Sequence, residues 1–145
     1  MHKTFRQSQA ISANHRHSRL QLCLLTLVIV AAAISLPVAA QSIQVPQPSP
    51  GLMPNPAAGK ALFEKSCASC HGASLQGSDK GPPMLSKIYA PSHHGDASFQ
   101  LAVKNGSRAH HWKFGDMAPV PGLTPDDVAQ ITAYVRLEQR KAGIR

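Results

Sequence analysis

Two cysteines and a histidine stand together in Cys67-Ala68-Ser69-Cys70-His71, and this cluster constrains the chain more than any other feature. The third cysteine, Cys23, lies apart from them in an apolar N-terminal run. In an oxidising compartment a free pair of thiols becomes oxidised. If the chain is exported, the thiols of Cys67 and Cys70 are therefore expected to be occupied.

The N-terminal 40 residues have the three parts of a secretory signal. Residues 1–20 contain four basic and no acidic side chains, residues 22–36 are almost wholly apolar, and the run ends in Val38-Ala39-Ala40. We predict a signal peptide over 1–40, cleaved after Ala40, which sends the rest of the chain to the periplasm. The alternative is an uncleaved membrane anchor, because the 19 residues of 22–40 approach the length that spans a bilayer.

The net charge is +8 for the whole chain, and without residues 1–40 it is +4, from 11 basic and 7 acidic residues. This excess favours docking to acidic protein surfaces. The basic residues are scattered singly, so no nucleic-acid partner is expected. A membrane partner is expected only if the N-terminal segment stays uncleaved.

Residues 41–56 contain five prolines among Ser, Gln and Gly, which disfavours regular structure and favours an extended chain. We therefore predict a linker over 41–55 and one folded domain over 56–145.

Helical signals dominate the domain. The first predicted helix covers about 57–69, with Asn55 as N-cap and Pro56 in the first helical position. The second begins at the cap Asp96 and stops at Asn105-Gly106, and the third begins at Thr124. A further helical turn is predicted over 86–89, and no stretch alternates as a strand. The predicted fold is all-α, with three to four helices and long loops.

Three to four helices with long loops form only a small hydrophobic core. Domains of this size often need a bound metal or another cross-link for stability. Cys67-x-x-Cys70-His71 is the attachment signature of c-type haem, in which two thioethers hold the porphyrin and the histidine binds the iron. Two alternatives remain. A redox dithiol requires a βαβ setting that the sequence lacks. A zinc site requires a fourth ligand, for which the histidines are candidates: His93, His94, His110 and His111.

The order of several further motifs resembles class I cytochrome c over about residues 56–140. Gly59-x-x-x-Phe63 precedes the haem motif and Gly81-Pro82 follows it. Gly115-Asp116-Met117-Ala118-Pro119 then comes before a final helix that contains Tyr134. The resemblance implies a cytochrome c-like fold wrapped around one covalently attached haem c.

The resemblance also implies roles for single residues. Met117 is expected to be the sixth iron ligand, opposite His71, and Met84 a packing residue. The carbonyl of Pro82, or of the adjacent Pro83, is expected to accept a hydrogen bond from His71. Trp112 is expected to bury its ring near the haem, with its N–H bonded to a partner.

The histidines outside the motif have other expected places. His110 and His111 are candidates to cover the haem edge, to bond a propionate or to replace Met117. His93 and His94 are expected to be solvated in a surface loop.

The resulting functional hypothesis is an exported monohaem one-electron carrier between redox proteins, and not an enzyme. If Met117 does not bind the iron, the alternative is a haem-based ligand-binding or peroxidase-like protein. A further alternative is a dedicated cytochrome subunit of a dehydrogenase or oxidase complex.

Overall fold

The structure is a computed structural model that describes residues 43–145. It contains four α-helices and one short 3₁₀ helix: α1 Pro56–Ser66, α2 Ala68–His71, the 3₁₀ helix Lys87–Tyr89, α3 Asp96–Asn105 and α4 Pro125–Lys141. Over 43–145 there is no strand, and Ser107 and Met117 form an isolated antiparallel bridge. The predicted all-α fold is confirmed. The predicted signal peptide and Cys23 lie outside the described residues.

No helix within 43–145 is long and apolar enough to cross a membrane.

The first helix is shorter than predicted. Asn55 caps it by accepting a hydrogen bond from the Ala57 N–H at 2.9 Å. The expected continuous helix over 57–69 is wrong, because Cys67 leaves helical geometry at φ −127° and separates α1 from α2. The amide N–H of Cys67 still bonds to the Phe63 carbonyl at 2.8 Å. The cysteine motif therefore lies across a bend between two helices.

The last helix begins as predicted. The Thr124 side chain accepts from the Asp127 N–H at 3.2 Å, and the Asp127 carboxylate accepts from the Thr124 N–H at 2.9 Å. This reciprocal pair satisfies two amide donors that a helix start otherwise leaves without partners. The Thr124 hydroxyl also donates to the Asp127 carboxylate at 2.6 Å, and this bond, followed by the one from the Thr124 N–H, lowers the pKa of Asp127.

Helices α1 and α4 cross at Gly59, which belongs to the Gly59-x-x-x-Phe63 motif of the resemblance. A Cβ at Gly59 would overlap the Gln130 carbonyl, so only glycine permits this approach. One helical turn further on, the rings of Phe63 and Tyr134 lie 5.7 Å apart. The crossing therefore forms one wall of the hydrophobic core.

The start of α3 differs from the prediction. Gly95, not Asp96, is the N-cap, and Asp96 is the first helical residue. The Asp96 carboxylate instead accepts from Arg136 Nε at 2.8 Å. A long-range ion pair therefore takes the place of the expected local cap.

Residues 43–55, inside the predicted linker, contain no helix or strand. The backbone and hydroxyl of Ser49 donate to the Asp126 carboxylate at 2.6 and 2.8 Å, and the Asn55 N–H donates to the Gln130 side chain. This segment thus contacts α4 at two points.

Candidate haem site

A cleft of about 370 Å³ opens among the helices and the loop that precedes α4. Its volume lies in the range of small-molecule and cofactor sites. Aromatic and aliphatic side chains dominate its inner wall: Phe63, Met84, Phe99, Val128, Ile131 and Val135. Such a wall suits a large, flat, apolar ligand.

The cysteine motif lies at one side of this cleft. Cys67 and His71 line it, whereas Cys70 is exposed, and both thiols are free. Burial, with a smaller contribution from Cys70, raises the pKa of Cys67 to about 11. Catalytic dithiols instead depend on a lowered thiol pKa. The protonated Cys67 thiol therefore disfavours the dithiol alternative.

The ring of His71 is fixed by a backbone hydrogen bond. Its Nδ1 lies 2.9 Å from the Pro82 carbonyl oxygen, which only accepts, so Nδ1 carries the proton. Of the two prolines that the sequence left open, the contact is with Pro82. The Nε2 atom of His71 is then a lone-pair nitrogen, the form that binds a metal.

A compact loop over 72–83 holds Pro82 in this place. The Gly77 N–H donates to the His71 carbonyl at 2.7 Å, and the Ser78 hydroxyl donates to the Cys70 carbonyl at 2.6 Å. The Ser78 N–H donates to the Gly81 carbonyl at 3.0 Å. Sequence reasoning missed Ser78, since serine in a Gly/Pro-rich loop carries no distinctive signal.

Met117 lines the same cleft as His71 and is half-buried. It ends a loop that Ser107 begins, and the two residues exchange backbone hydrogen bonds of 2.9 and 2.8 Å. At Gly106 the backbone adopts φ +76°, and a Cβ there would overlap the Met117 carbonyl. Glycine thus permits the closure that places Met117.

The other methionines of the described residues have different surroundings, although Met84 also lines the cleft. Met84 belongs to the buried core, as expected for a packing residue, and Met53 is 90% exposed.

Trp112 also lines the cleft, and its enclosed Nε1 makes no hydrogen bond of normal geometry among residues 43–145. Burial raises the pKa of Tyr89 and a side-chain contact with Trp112 lowers it, so Tyr89 is the nearest polar neighbour of this N–H. An enclosed donor without a well-formed hydrogen bond is costly, so it favours an acceptor supplied by a ligand. A porphyrin meets this need through its carboxylates, and the apolar wall fits its ring.

Four histidines gather at the rim of the cleft. His93 Nε2 lies 3.1 Å from His111 Nε2, and His94 Nε2 lies 3.3 Å from His110 Nε2. The expectation of a solvated His94 is wrong, because it is half-buried. Desolvation and then the neighbouring imidazoles lower the pKa of His111.

The zinc alternative at the cysteines gains no support from this arrangement. Among the described residues, the one group of possible metal ligands is His93, His94 and His111, without either cysteine.

Arg136 is a residue near the site that sequence reasoning missed, because a charged side chain near the end of a helix is ordinarily exposed. It is buried and donates to the Tyr89 and His94 carbonyls. Its Nη1 also donates to the Gln139 side chain at 2.7 Å. The sequence contains a pattern that could have indicated its burial, because positions 128, 132, 136 and 139 lie at helical spacing on one face of α4.

Comparison with known proteins agrees with this geometry. The family model described as "Cytochrome c" matches residues 56–137, more than half of the chain. Cytochrome c-554(547) of Halothiobacillus neapolitanus is 34% identical over 87 residues, which cover 54% of this chain and 91% of that protein. No solved structure gives a significant match. The chain belongs to the cytochrome c family, as a class I c-type cytochrome with covalently bound haem c.

Proposed function

We propose that this cytochrome is an exported monohaem protein that carries single electrons between redox partners in the periplasm. The observation that carries the proposal is that His71 and Met117 line the same apolar cleft. Two protein ligands for one iron leave no position open for substrate. A haem held in this way supplies one-electron redox chemistry without a change of ligands.

The cysteine motif accounts for attachment. The thiols of Cys67 and Cys70 hold the porphyrin as thioethers, and the adjacent His71 binds the iron. The Pro82 carbonyl orients the His71 ring and raises the basicity of its Nε2 atom. This contact sets the ring before any ligand binds to it.

Two further groups adapt the cleft to the cofactor. The Met117 thioether raises the reduction potential relative to a second histidine. The Trp112 indole N–H, which makes no hydrogen bond of normal geometry within residues 43–145, can donate to a haem carboxylate. The hydrophobic wall excludes water and favours the less charged form of the iron.

Partner docking draws on the positive charge. Arg108 lines the cleft, and Lys104 and Lys113 are exposed nearby in the chain. Acidic surfaces on donor and acceptor proteins would be steered toward these residues. Weak docking of this kind allows rapid exchange of partners. The proposed function involves no enzymatic reaction and no nucleic acid.

Replacement of Met117 tests the proposal. In the holoprotein, Met117→Ala should remove the sulfur ligand, lower the reduction potential and abolish the weak red absorption band of thioether-ligated ferric haem. Met53→Ala is the matched control, because Met53 is 90% exposed, and it should leave both quantities unchanged.

An unchanged low-spin spectrum and potential in Met117→Ala would refute the assignment of this ligand. High-spin iron in the wild-type protein would instead favour the ligand-binding or peroxidase-like alternative. If the protein purifies only as part of a dehydrogenase or oxidase complex, the hypothesis of a dedicated subunit would replace that of a free carrier.

A further inference from the structure

The histidine cluster at the rim of the cleft joins two loops that are distant in sequence. His93 and His94 precede α3, whereas His110 and His111 lie in the loop between α3 and α4. One ring nitrogen from each of His93, His94 and His111 lies within 4.8 Å of the others. His110 lies outside this group of three, although its Nε2 is 3.3 Å from His94 Nε2.

Backbone contacts fix the tautomers of two of these rings. His94 Nδ1 lies 2.7 Å from the Ile88 carbonyl oxygen, and His110 Nδ1 lies 2.7 Å from the Arg108 carbonyl oxygen. A carbonyl only accepts, so both Nδ1 atoms carry the proton. In the neutral rings both Nε2 atoms are then lone-pair acceptors.

Two lone pairs that face each other at 3.3 Å cannot form a hydrogen bond. The contact between His94 and His110 therefore favours a cation at this place, which is either an extra proton on one ring or a metal ion bound to His94. The Nδ1–H to carbonyl bonds are the usual arrangement behind a metal-binding histidine, because they orient the ring and raise its basicity.

Two of the separations are close to those around a tetrahedral metal ion, and the three nitrogens of His93, His94 and His111 all lie within 4.8 Å of one another. Ligand nitrogens at 2.0–2.1 Å from zinc lie about 3.3–3.4 Å apart in a tetrahedral site. The measured pairs are 3.3 Å for His94 and His110 and 3.1 Å for His93 and His111. Imidazole nitrogen suits zinc, copper and nickel ions.

The proposed metal ligands are accessible from solvent, and one of them is anchored to α4. His93, His110 and His111 are exposed, so an ion can enter from solvent. The backbone of the half-buried His94 is fixed, because Arg136 donates hydrogen bonds to the His94 and Tyr89 carbonyls. The ligands therefore stand on a segment that is anchored to α4.

We propose that His93, His94 and His111 bind one divalent transition-metal ion of the zinc type, with His110 bordering the site through its contact with His94. The bound ion links the loop before α3 to the loop that contains Met117. It thereby braces the rim of the cleft, in addition to the haem iron and independently of electron transfer.

Zinc titration of the holoprotein tests the proposal. The protein is purified without a histidine tag, freed of metal with a chelator and titrated with zinc chloride in a calorimeter. We expect one zinc ion per chain with micromolar or tighter affinity, and a higher melting temperature at saturation. His93→Gln and His111→Gln should each weaken binding by at least about tenfold.

Lys113→Gln is the matched control, because Lys113 is exposed and lies two residues beyond His111. It should bind zinc as the wild type does. The haem spectrum of each variant checks that the fold and the iron ligands are intact. His110→Gln, which changes the neighbour of His94 and no proposed ligand, provides a second variant and should weaken binding less than His93→Gln or His111→Gln.

Three results would overturn the proposal. One is the absence of zinc binding in the wild type, which would assign the His94–His110 contact to a shared proton. Another is equal binding by the wild type and a His93→Gln, His111→Gln double variant. The last is a zinc-induced change in the haem spectrum that shows displacement of an iron ligand, since the ion would then bind elsewhere.

Discussion

The helix crossing and the loops around the cleft are held by different kinds of interaction. Where α1 meets α4, Gly59 lies against the Gln130 backbone and Phe63 packs on Tyr134. The loops are instead held in place by individual backbone hydrogen bonds, such as those between Ser107 and Met117. The comparison teaches that packing supplies the rigidity of this domain, while backbone polar contacts aim the side chains of the site.

Substitution at the crossing should have the largest effect on stability. Gly59→Val places a side chain where the Gln130 carbonyl lies, and we expect a loss of about 3 kcal/mol in the free energy of unfolding. Denaturant unfolding of the holoprotein measures it. Ala58→Val, on the exposed side of α1, is the control and should cost about 0.5 kcal/mol. Equal effects of the two variants would contradict the close crossing.

Arg136 links the two regions, because it lies on α4 and donates to the loop carbonyls of Tyr89 and His94. Arg136→Met removes the donor to the His94 carbonyl, whereas the Tyr89 carbonyl still accepts from Gln139 Nε2 at 3.0 Å, and we expect a loss of about 2 kcal/mol. Arg140→Met is the control, since Arg140 is exposed in the last turn of α4. Hydrogen exchange should show faster opening over 89–94 in Arg136→Met alone, and unchanged exchange there would separate the loop from α4.

The cap of α4 should have the smallest effect. Thr124→Ala removes one partner of the reciprocal pair with Asp127, at a cost of about 1 kcal/mol. The pKa of Asp127 is lowered in the folded state, so its contribution exists at neutral pH and is lost as the pH falls through that lowered value. Thermal unfolding should show the difference between wild type and variant shrinking in acid. A pH-independent difference would contradict the role of the Asp127 carboxylate.

The parts of this molecule that sequence could predict are those that depend on local chemistry. The Thr124 capping box, the Gly59 approach and the stop at Gly106 each follow from a few adjacent residues. The bend at Cys67 could not be predicted, because it depends on how α1 and α2 pack in the folded chain. The Asp96–Arg136 pair is likewise a contact across 40 positions, and it displaced the local cap that the sequence favoured.

The candidate site likewise has features that local sequence predicts and features that depend on the folded chain. The motif Cys67-x-x-Cys70-His71 and the place of Met117 before the last helix could be identified from spacing and from the resemblance. The choice of Pro82 over Pro83 required the path of the loop. The meeting of His94 with His110 required the relative position of two loops, which no local pattern encodes.

Intact mass spectrometry of the exported protein under denaturing conditions tests the central claim most directly. Our account predicts a chain of residues 41–145 that carries the added mass of one haem, and the loss of that addition in Cys67→Ala. The bare mass of the polypeptide, in cells with a working haem-attachment system, would contradict it.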